Sequence, residues 1–403
     1  MNFATPESAS RKPRVAFVVQ RCGREVNGGA ELHCLQVADQ MSKWWDTEVL
    51  TTCALDYMRW ENHYPPGLEK VRGTAIRRFL VDEGRDIQVF NQISGDILRS
   101  ALDVPLDVQE SWMRAQGPIS SGLLDYLRTQ RDSYDLFVFF GYLYATTYFG
   151  LPLVAEKACL APLAHDEWPI YMRMWDKFFA LPRQFVFNTK AERAFVQKRF
   201  AKLSPEGEVA GIGIDEPPPV DPAAFRKRHG LNEPFLLYVG RVDRSKGCDT
   251  LFDYYCRARA DGATASKLVL IGQDVLRVPF HEDIIHLGFV SEEEKWEAMA
   301  ACDWLVNPSP HESLSIVLLE AWRMGRPAIV NGASDVLRDH CQDSDGGLWY
   351  DSYRDWRAIL ERVSQDEKET LGRQGMAYVQ SNYSWPRVEA LYRELLSGER
   401  ANG

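Results

Sequence analysis

The sequence predicts an α/β protein made of two doubly wound, Rossmann-like domains that face each other across a cleft, and three observations carry that reading. Short apolar runs of the kind that form strands buried on both faces recur at Val15–Val19, Val49–Thr51, Leu136–Phe140, Phe185–Phe187, Phe235–Val239, Leu268–Ile271, Trp304–Val306 and Ala328–Val330. Segments of helical length separate most of them, the alternation expected of parallel sheets covered by helices. A stretch holding four prolines, Gly211 to Pro222, divides the eight runs four and four.

Taken in order, the first run leads into Leu32, Leu35, Ala38 and Met41, spaced every third residue, which gives one apolar side to a helix beginning near Gly29. Leu136 to Ala155 carries no charge and reaches the length of a membrane-spanning helix. Gly141, Gly150, Pro152, two threonines and three tyrosines interrupt it, and the preceding Asp135 has the wrong sign for an anchor, so the expectation is a buried strand, Leu136 to Phe140, followed by a helix. Prolines 217, 218, 219 and 222 cannot donate to a sheet ladder or sit inside a helix. Their segment therefore reads as the connection between a domain of residues 1–210 and a second domain that begins at residue 211. Ligands of such sheets bind at the carboxyl ends of strands, which directs attention to those ends.

Composition narrows the partners. The 403 residues include 47 Lys plus Arg against 57 Asp plus Glu, with 45% hydrophobic residues, which excludes a disordered chain and a small disulfide scaffold. The acidic excess falls almost wholly after Ala210, the opposite of a nucleic-acid binder, so no nucleic-acid partner is expected. Eight cysteines are scattered without a Cys-x-x-Cys pair or a zinc-type set, which suits reduced thiols in a cytoplasm. The polar opening, Met1 to Pro13, lacks the apolar core of a signal peptide. Lys70, Arg72, Arg77 and Arg78 cluster in the first half; a solvated or acceptor-side face is the favoured reading, with anionic lipid as the alternative.

Four short elements carry chemistry. His311-Glu-Ser-Leu-Ser-Ile-Val-Leu-Leu-Glu320 follows the Trp304 run; a helix opening near Ser315 would offer phosphate-binding N–H groups between Glu312 and Glu320. Those two carboxylates suit sugar hydroxyls on either side of a diphosphate, or equally a solvated helix face. The run Phe235–Val239 ends in Gly240 and then presents Arg241 and Lys246, two cations suited to a diphosphate. Asn27-Gly-Gly-Ala-Glu31 lets a ligand approach the backbone before a helix, though no Gly-x-Gly-x-x-Gly occurs in the chain and a nicotinamide enzyme loses ground. His165-Asp-Glu-Trp-Pro169 follows a short apolar stretch and places a histidine at a strand end. Asp343-Ser-Asp345 has the form of a metal-chelating pair but lies in a polar stretch that reads as a turn, so no metal is expected.

Together these elements resemble the family-4 retaining glycosyltransferases of the GT-B fold. The resemblance rests on Gly-Gly-Ala-Glu after the first strand, Gly240-Arg241 with Lys246-Gly247, the Glu-x7-Glu pair Glu312 and Glu320, and the closing Tyr383-Ser-Trp-Pro386. In that family the closing motif leads a final helix back onto the first domain, which implies that a helix over 385–403 completes the domain of residues 1–210 and leaves residues 211–384 as the second. It implies a nucleoside-diphosphate sugar donor, of GDP-mannose or UDP-glucose type, and a glycan or lipid-linked acceptor, with no cofactor or metal. It further implies work in surface polysaccharide biosynthesis, in the cytoplasm or peripherally at the inner face of the membrane. Arg241 and Lys246 would hold the diphosphate, Glu320 the ribose, and Glu312 the transferred sugar. Leu314 and Ser315 would offer backbone N–H groups, His165 would stand beside the reacting carbon, Gly28 and Gly29 would close over the phosphates, and Val290 would lie near the base. The family commonly has an aromatic residue and a glycine where Leu314 and Ser315 stand. A nucleotide-sugar epimerase and a non-catalytic sugar-nucleotide sensor are the rival readings.

Overall fold

The structure, a computed structural model, describes residues 11–26, 28–71 and 73–397. Asn27 of the glycine motif, Arg72 of the basic cluster, most of the polar opening and the last residues of the closing segment lie outside them. The chain forms two compact units: residues 1–187, 196–210 and 389–403 make the first, and residues 188–195 and 211–388 the second.

The first unit carries an eight-stranded sheet of β1 (Arg14–Arg21), β2 (Asp46–Thr52), β3 (Gly67–Val71), β4 (Thr74–Phe79), β5 (Leu136–Phe140), β6 (Ala158–Ala161), β7 (Gln184–Phe187) and β8 (Gly207–Val209). Its order is β3-β4-β2-β1-β5-β6-β7-β8, and every pair is parallel except the edge hairpin β3–β4. The second unit holds β9 (Phe235–Val239), β10 (Lys267–Ile271), β11 (Ile284–Gly288), β12 (Trp304–Asn307), β13 (Ala328–Asn331) and β14 (Gly347–Tyr350), in the order β11-β10-β9-β12-β13-β14 and parallel throughout.

All eight apolar runs are strands, because each is covered on both faces. In β9, Phe235 and Leu237 enter one core of the second unit while Leu236 and Tyr238 enter the other, and β12 divides likewise between Leu305 and Trp304. Alternate side chains of a strand point to opposite faces, so a strand with two cores has no polar phase to show. The uncharged stretch from Leu136 resolves the same way. Its first five residues are fully buried in β5 and its next helix is the six-residue Ala145–Gly150. Among the described residues no helix is long and apolar enough to cross a membrane.

The first helix, Gly29–Met41, buries Leu35, Ala38 and Met41 as its spacing requires, together with Cys34 and Val37, while Leu32 in its first turn is half-buried. The proline-rich segment runs without regular structure into the helix Pro222–Arg228, whose first turn is capped by the Asp221 carboxylate accepting from the Ala223 N–H at 2.9 Å. Before that cap the segment lies against the Tyr383-Ser-Trp-Pro386 motif: the Ile214 N–H donates to the Tyr383 carbonyl at 2.8 Å and Trp385 Nε1 to Asp215 at 2.6 Å. From Glu389 the final helix, Trp385–Ser397, belongs to the first unit, where Glu389 accepts from Lys43 at 2.8 Å and from Trp44 at 3.0 Å.

Of the described residues of the basic cluster, Arg77 and Arg78 are engaged in ion pairs. Arg78 is buried, donates twice to the Cys22 carbonyl and pairs with Glu69, because the alternation of β4 turns it inward. Arg77 is held by Glu48 at 2.7 Å, while Lys70 is exposed. The cysteines are unpaired thiols, all buried except the half-buried Cys256.

Candidate functional residues at the strand ends of each unit

Each sheet has a point where the chain, having wound outward in one direction, returns to wind in the other. In the second unit this lies between β9 and β12, since β10 and β11 extend to one side of β9 and β13 and β14 to the far side of β12. The carboxyl ends of two such strands are where ligands of open α/β sheets bind. Arg241 and Lys246 stand on the loop after β9, and Glu312, Leu314 and Ser315 on the loop after β12.

These two loops meet. Lys246 Nζ donates to Glu312 Oε1 at 2.8 Å, across 66 positions of sequence. Between them Gly247 adopts a left-handed conformation, φ 73°, and a Cβ there would collide with the carbonyl oxygen of Pro308. Glycine is therefore required on two counts, conformation and approach. The same Pro308 oxygen accepts from Asn331 Nδ2 at 2.8 Å, so it cannot readily yield.

Arg241 is tied to its own loop. Its Nε donates to Asp243 Oδ2 at 2.8 Å, and its carbonyl accepts from the Tyr238 hydroxyl at 2.6 Å. Burial alone would push the Asp243 carboxyl up. The Ser245 N–H and the Arg241 guanidinium outweigh it and hold the group below the ordinary range, so Asp243 is an anion that orients Arg241.

The loop after β12 is held from several sides. Asn307 Nδ2 donates to Ser315 Oγ at 2.8 Å, Ser309 Oγ to the His311 carbonyl at 2.8 Å, and Asn188 Nδ2 to Ser313 Oγ at 3.4 Å. Ser315 takes a left-handed conformation, φ 66°, which costs a residue with a Cβ about 1–2 kcal/mol and persists because this network over-determines it. It precedes the helix Ile316–Arg323, whose opening N–H groups have no partner within the helix by geometry. Leu314 buries its side chain in the core, and its carbonyl accepts from His340 Nε2 at 3.0 Å.

His340 is fully enclosed, with Nδ1 facing the Tyr378 hydroxyl at 3.3 Å. Burial lowers its pKa to about 4, against which the Leu314 carbonyl and Asp343 act in the opposite sense. The native state thus holds neutral imidazole, while the unfolded chain takes up a proton near pH 6.5, so this group contributes stability above 6.5 that is lost progressively as pH falls towards 4. The expected loss is about 3 kcal/mol in full. Urea unfolding between about pH 7.5 and 5 should show that slope, and a His340→Asn variant should show a shallower one.

Glu320, on the Ile316–Arg323 helix, is buried and accepts from Lys295 Nζ at 3.0 Å. Burial raises its carboxyl above the ordinary value against the opposing pull of Lys295. Lys295 belongs to the helix Glu292–Ala301, which begins just beyond Gly288-Phe-Val290 at the end of β11. Val290 is half-buried against the core and Phe289 is exposed.

In the first unit the sheet turns between β1 and β5, and Gly28 and Gly29 follow β1 there. Gly28 precedes the helix as its cap, and a Cβ on it would run into the Glu31 carboxylate. Glu31 is itself pinned by Gln20 at 3.0 Å and Arg21 at 2.6 Å, all three buried at the end of β1. His165 follows β6, half-buried, with Nε2 3.4 Å from Glu167 Oε1. Glu167 also accepts from the Tyr142 hydroxyl at 3.3 Å.

The structure therefore gathers Arg241, Lys246, Glu312, Leu314, Ser315, Glu320 and Val290 at the strand ends of the second unit, and Gly28, Gly29 and His165 at those of the first. Sequence reasoning missed the partners. Asp243, Lys295, His340 and Glu167 each hold an expected site residue, and Lys246 and Glu312 hold each other. Asp343 of the candidate chelating pair lies 3.4 Å from Lys190, and Asp345 ends a helix in a left-handed turn.

The two sheets define the GT-B class, two Rossmann-like units in one chain. The structure of Anabaena HepE in complex with UDP-glucose shares this fold, with a TM-score of 0.65 at 16% identity over 96% of this chain and all of that one. The family model described as Glycosyl transferases group 1 matches residues 221–378, the stretch that contains Arg241, Lys246, Glu312 and Glu320. Glycogen synthase of Thermus thermophilus is 26% identical over 183 residues, 43% of this chain and 40% of that protein. A GDP-mannose-dependent α-(1-6)-phosphatidylinositol monomannoside mannosyltransferase of Mycobacterium tuberculosis is 28% identical over 240 residues, 52% of this chain and 61% of that protein. This chain thus spans less than two thirds of the length of either relative.

Proposed function

We propose that the protein is a retaining glycosyltransferase of family-4 type. It moves a sugar from a nucleoside-diphosphate sugar, of GDP-mannose or UDP-glucose type, to a hydroxyl of a glycan or lipid-linked acceptor in surface polysaccharide synthesis. The observation that carries this reading is the meeting of the two loops at the β9–β12 switch, where Lys246 of the loop that also bears Arg241 pairs with Glu312 just before a helix N-terminus, within the segment that the group 1 family model matches. The mannosyltransferase relative names GDP-mannose as its donor, and HepE was solved with UDP-glucose.

In this reading the donor diphosphate takes Lys246 from Glu312 and meets Arg241 as Asp243 orients it, which leaves Glu312 to accept from hydroxyls of the sugar. Backbone N–H groups of Leu314 and Ser315 add donors, Glu320 holds the ribose, and Val290 lies by the base. Gly28 and Gly29 approach the phosphates, and His165, oriented by Glu167, stands beside the reacting carbon. The bond from the anomeric carbon to the diphosphate breaks. The acceptor hydroxyl attacks from the same face, and its proton passes to the departing phosphate. Protein groups contribute charge stabilisation and positioning. Two cations supply the charge that a metal ion supplies elsewhere, so the reading includes no cofactor, and its setting is the cytoplasm or the inner membrane face.

Incubation with a panel of nucleotide sugars and glycan or lipid-linked acceptors, followed by mass spectrometry and anomeric NMR, tests it. Expected are release of a nucleoside diphosphate and a product that keeps the donor's anomeric configuration, with or without a chelator. An isomerised donor formed without acceptor would identify an epimerase instead, and donor binding without any transfer would identify a sensor.

A further inference from the structure

We infer that Lys295 is a positioning residue that keeps Glu320 ionised and oriented to accept from the ribose hydroxyls of the bound nucleotide, an inference that rests on the function proposed above. A carboxylate that is to accept from two hydroxyls must be an anion, and one that is buried away from water tends to take up a proton. Glu320 sits in that conflict, at 8% exposure. Lys295 answers it. Its ammonium stands 3.0 Å from Glu320 Oε1 and 3.0 Å from Glu292 Oε2, and its side chain is only 12% exposed.

The geometry is specific to this pair. Lys295 reaches Glu320 from a different helix, and the base of that helix follows β11, the strand end that also presents Val290. One positive group thus ties the expected ribose-binding carboxylate to the segment expected to lie by the base. The other charges around Glu320 work against its ionisation or are committed elsewhere. Glu292 and Asp215 are anions that disfavour it, and Arg323, further along the same helix, pairs with Glu216. Asp215 already accepts from Trp385 Nε1. Lys295 keeps its own proton, since burial, which would remove it, is outweighed by Glu320 and Glu292.

The sign of the pH effect follows. Without Lys295 the Glu320 carboxyl loses the charge that opposes its burial and rises further, which favours the protonated form, a donor where an acceptor is needed. Ribose binding by such a variant should therefore strengthen as pH rises, and more steeply than in the native protein.

Calorimetric titration of the full chain with UDP and GDP and with their 2′,3′-dideoxy counterparts, at a series of pH values, tests the inference. Lys295→Met should weaken binding of the preferred ribonucleotide about tenfold at neutral pH, the scale of losing one charge-assisted contact. It should nearly abolish the preference over the dideoxy form, and the defect should shrink at higher pH. Lys295→Arg should restore the preference, and Glu320→Gln should remove it at every pH. If Lys295→Met discriminated ribose from dideoxyribose as the native protein does, or if its defect were independent of pH, the assignment would be overturned while the proposed function stood. If neither diphosphate bound the native protein, both would fall.

Discussion

Replacement of Lys246 by Met is expected to lower turnover of the nucleotide-sugar donor by about 10²–10³-fold, the loss typical of removing one preorganised charge from a transition state. The reasoning starts from where the charge develops. As the bond to the anomeric carbon breaks, negative charge accumulates on the diphosphate, and an ammonium at that spot stabilises the departing group more than the intact donor. Lys246 is the cation placed to do so, with its partner Glu312 2.8 Å away on the neighbouring loop. The pair is partly exposed, at 36% and 15% of the two side chains, so the fold depends on it little. Tm of the variant should stay within a few degrees of the native value. A variant that kept near-native turnover, measured by diphosphate release, would remove Lys246 from the site.

The second large effect concerns a residue with no side chain. Gly247→Ala is expected to destabilise the second unit by about 2–4 kcal/mol and to impair transfer as well. Left-handed backbone at φ 73° accounts for part of that, and the collision of the new Cβ with the Pro308 oxygen for the rest. The control is Gly262, which has φ 70° and nothing within 4 Å of the place a methyl group would take. Gly262→Ala carries the backbone cost without the collision, so it should lose only about 1–2 kcal/mol and leave activity intact. Relief of the collision must separate the loop of Lys246 from the loop of Glu312, which links stability to chemistry at this one position. Denaturant unfolding and donor turnover of the two variants, measured side by side, decide it. Equal losses in both would show that Pro308 moves aside without consequence.

The strands that the sequence displayed are those with two cores. Phe235–Val239 and Trp304–Val306 are apolar at every position because each face meets its own cluster. The strands it concealed have other surroundings. The β3–β4 hairpin stands at a sheet edge and mixes Glu69, Lys70, Arg77 and Arg78 with apolar residues. Strand β11 is half-buried throughout, and β8 is half-buried and only three residues long. None of these differs enough from a loop or a helix fragment in composition to declare itself.

At the site, the residues expected to meet ligand were legible because their types and spacing are local. The motif from Glu312 to Glu320 fits within one loop and one helix, and Arg241 to Lys246 within one loop. What holds them is not local. His340 reaches the carbonyl of Leu314 from a helix that follows the next strand, and Lys295 reaches Glu320 across 25 positions. A backbone carbonyl leaves no mark in a sequence as an acceptor, and a lysine inside a helix rich in glutamate reads as an ordinary surface residue.

The sequence by itself determined which segments become buried strands, where the chain passes from one sheet to the other, and which residue types stand at the strand ends. Hydrophobic burial and backbone stereochemistry act over a few neighbouring residues, and so they can be read in order along the chain. Only the tertiary structure decided that Lys246 pairs with Glu312, that Lys295 guards Glu320, and that Arg78 turns inward to Cys22 and Glu69. Charge pairing depends on distance in space, and the strand order that sets this distance emerges when the sheets close.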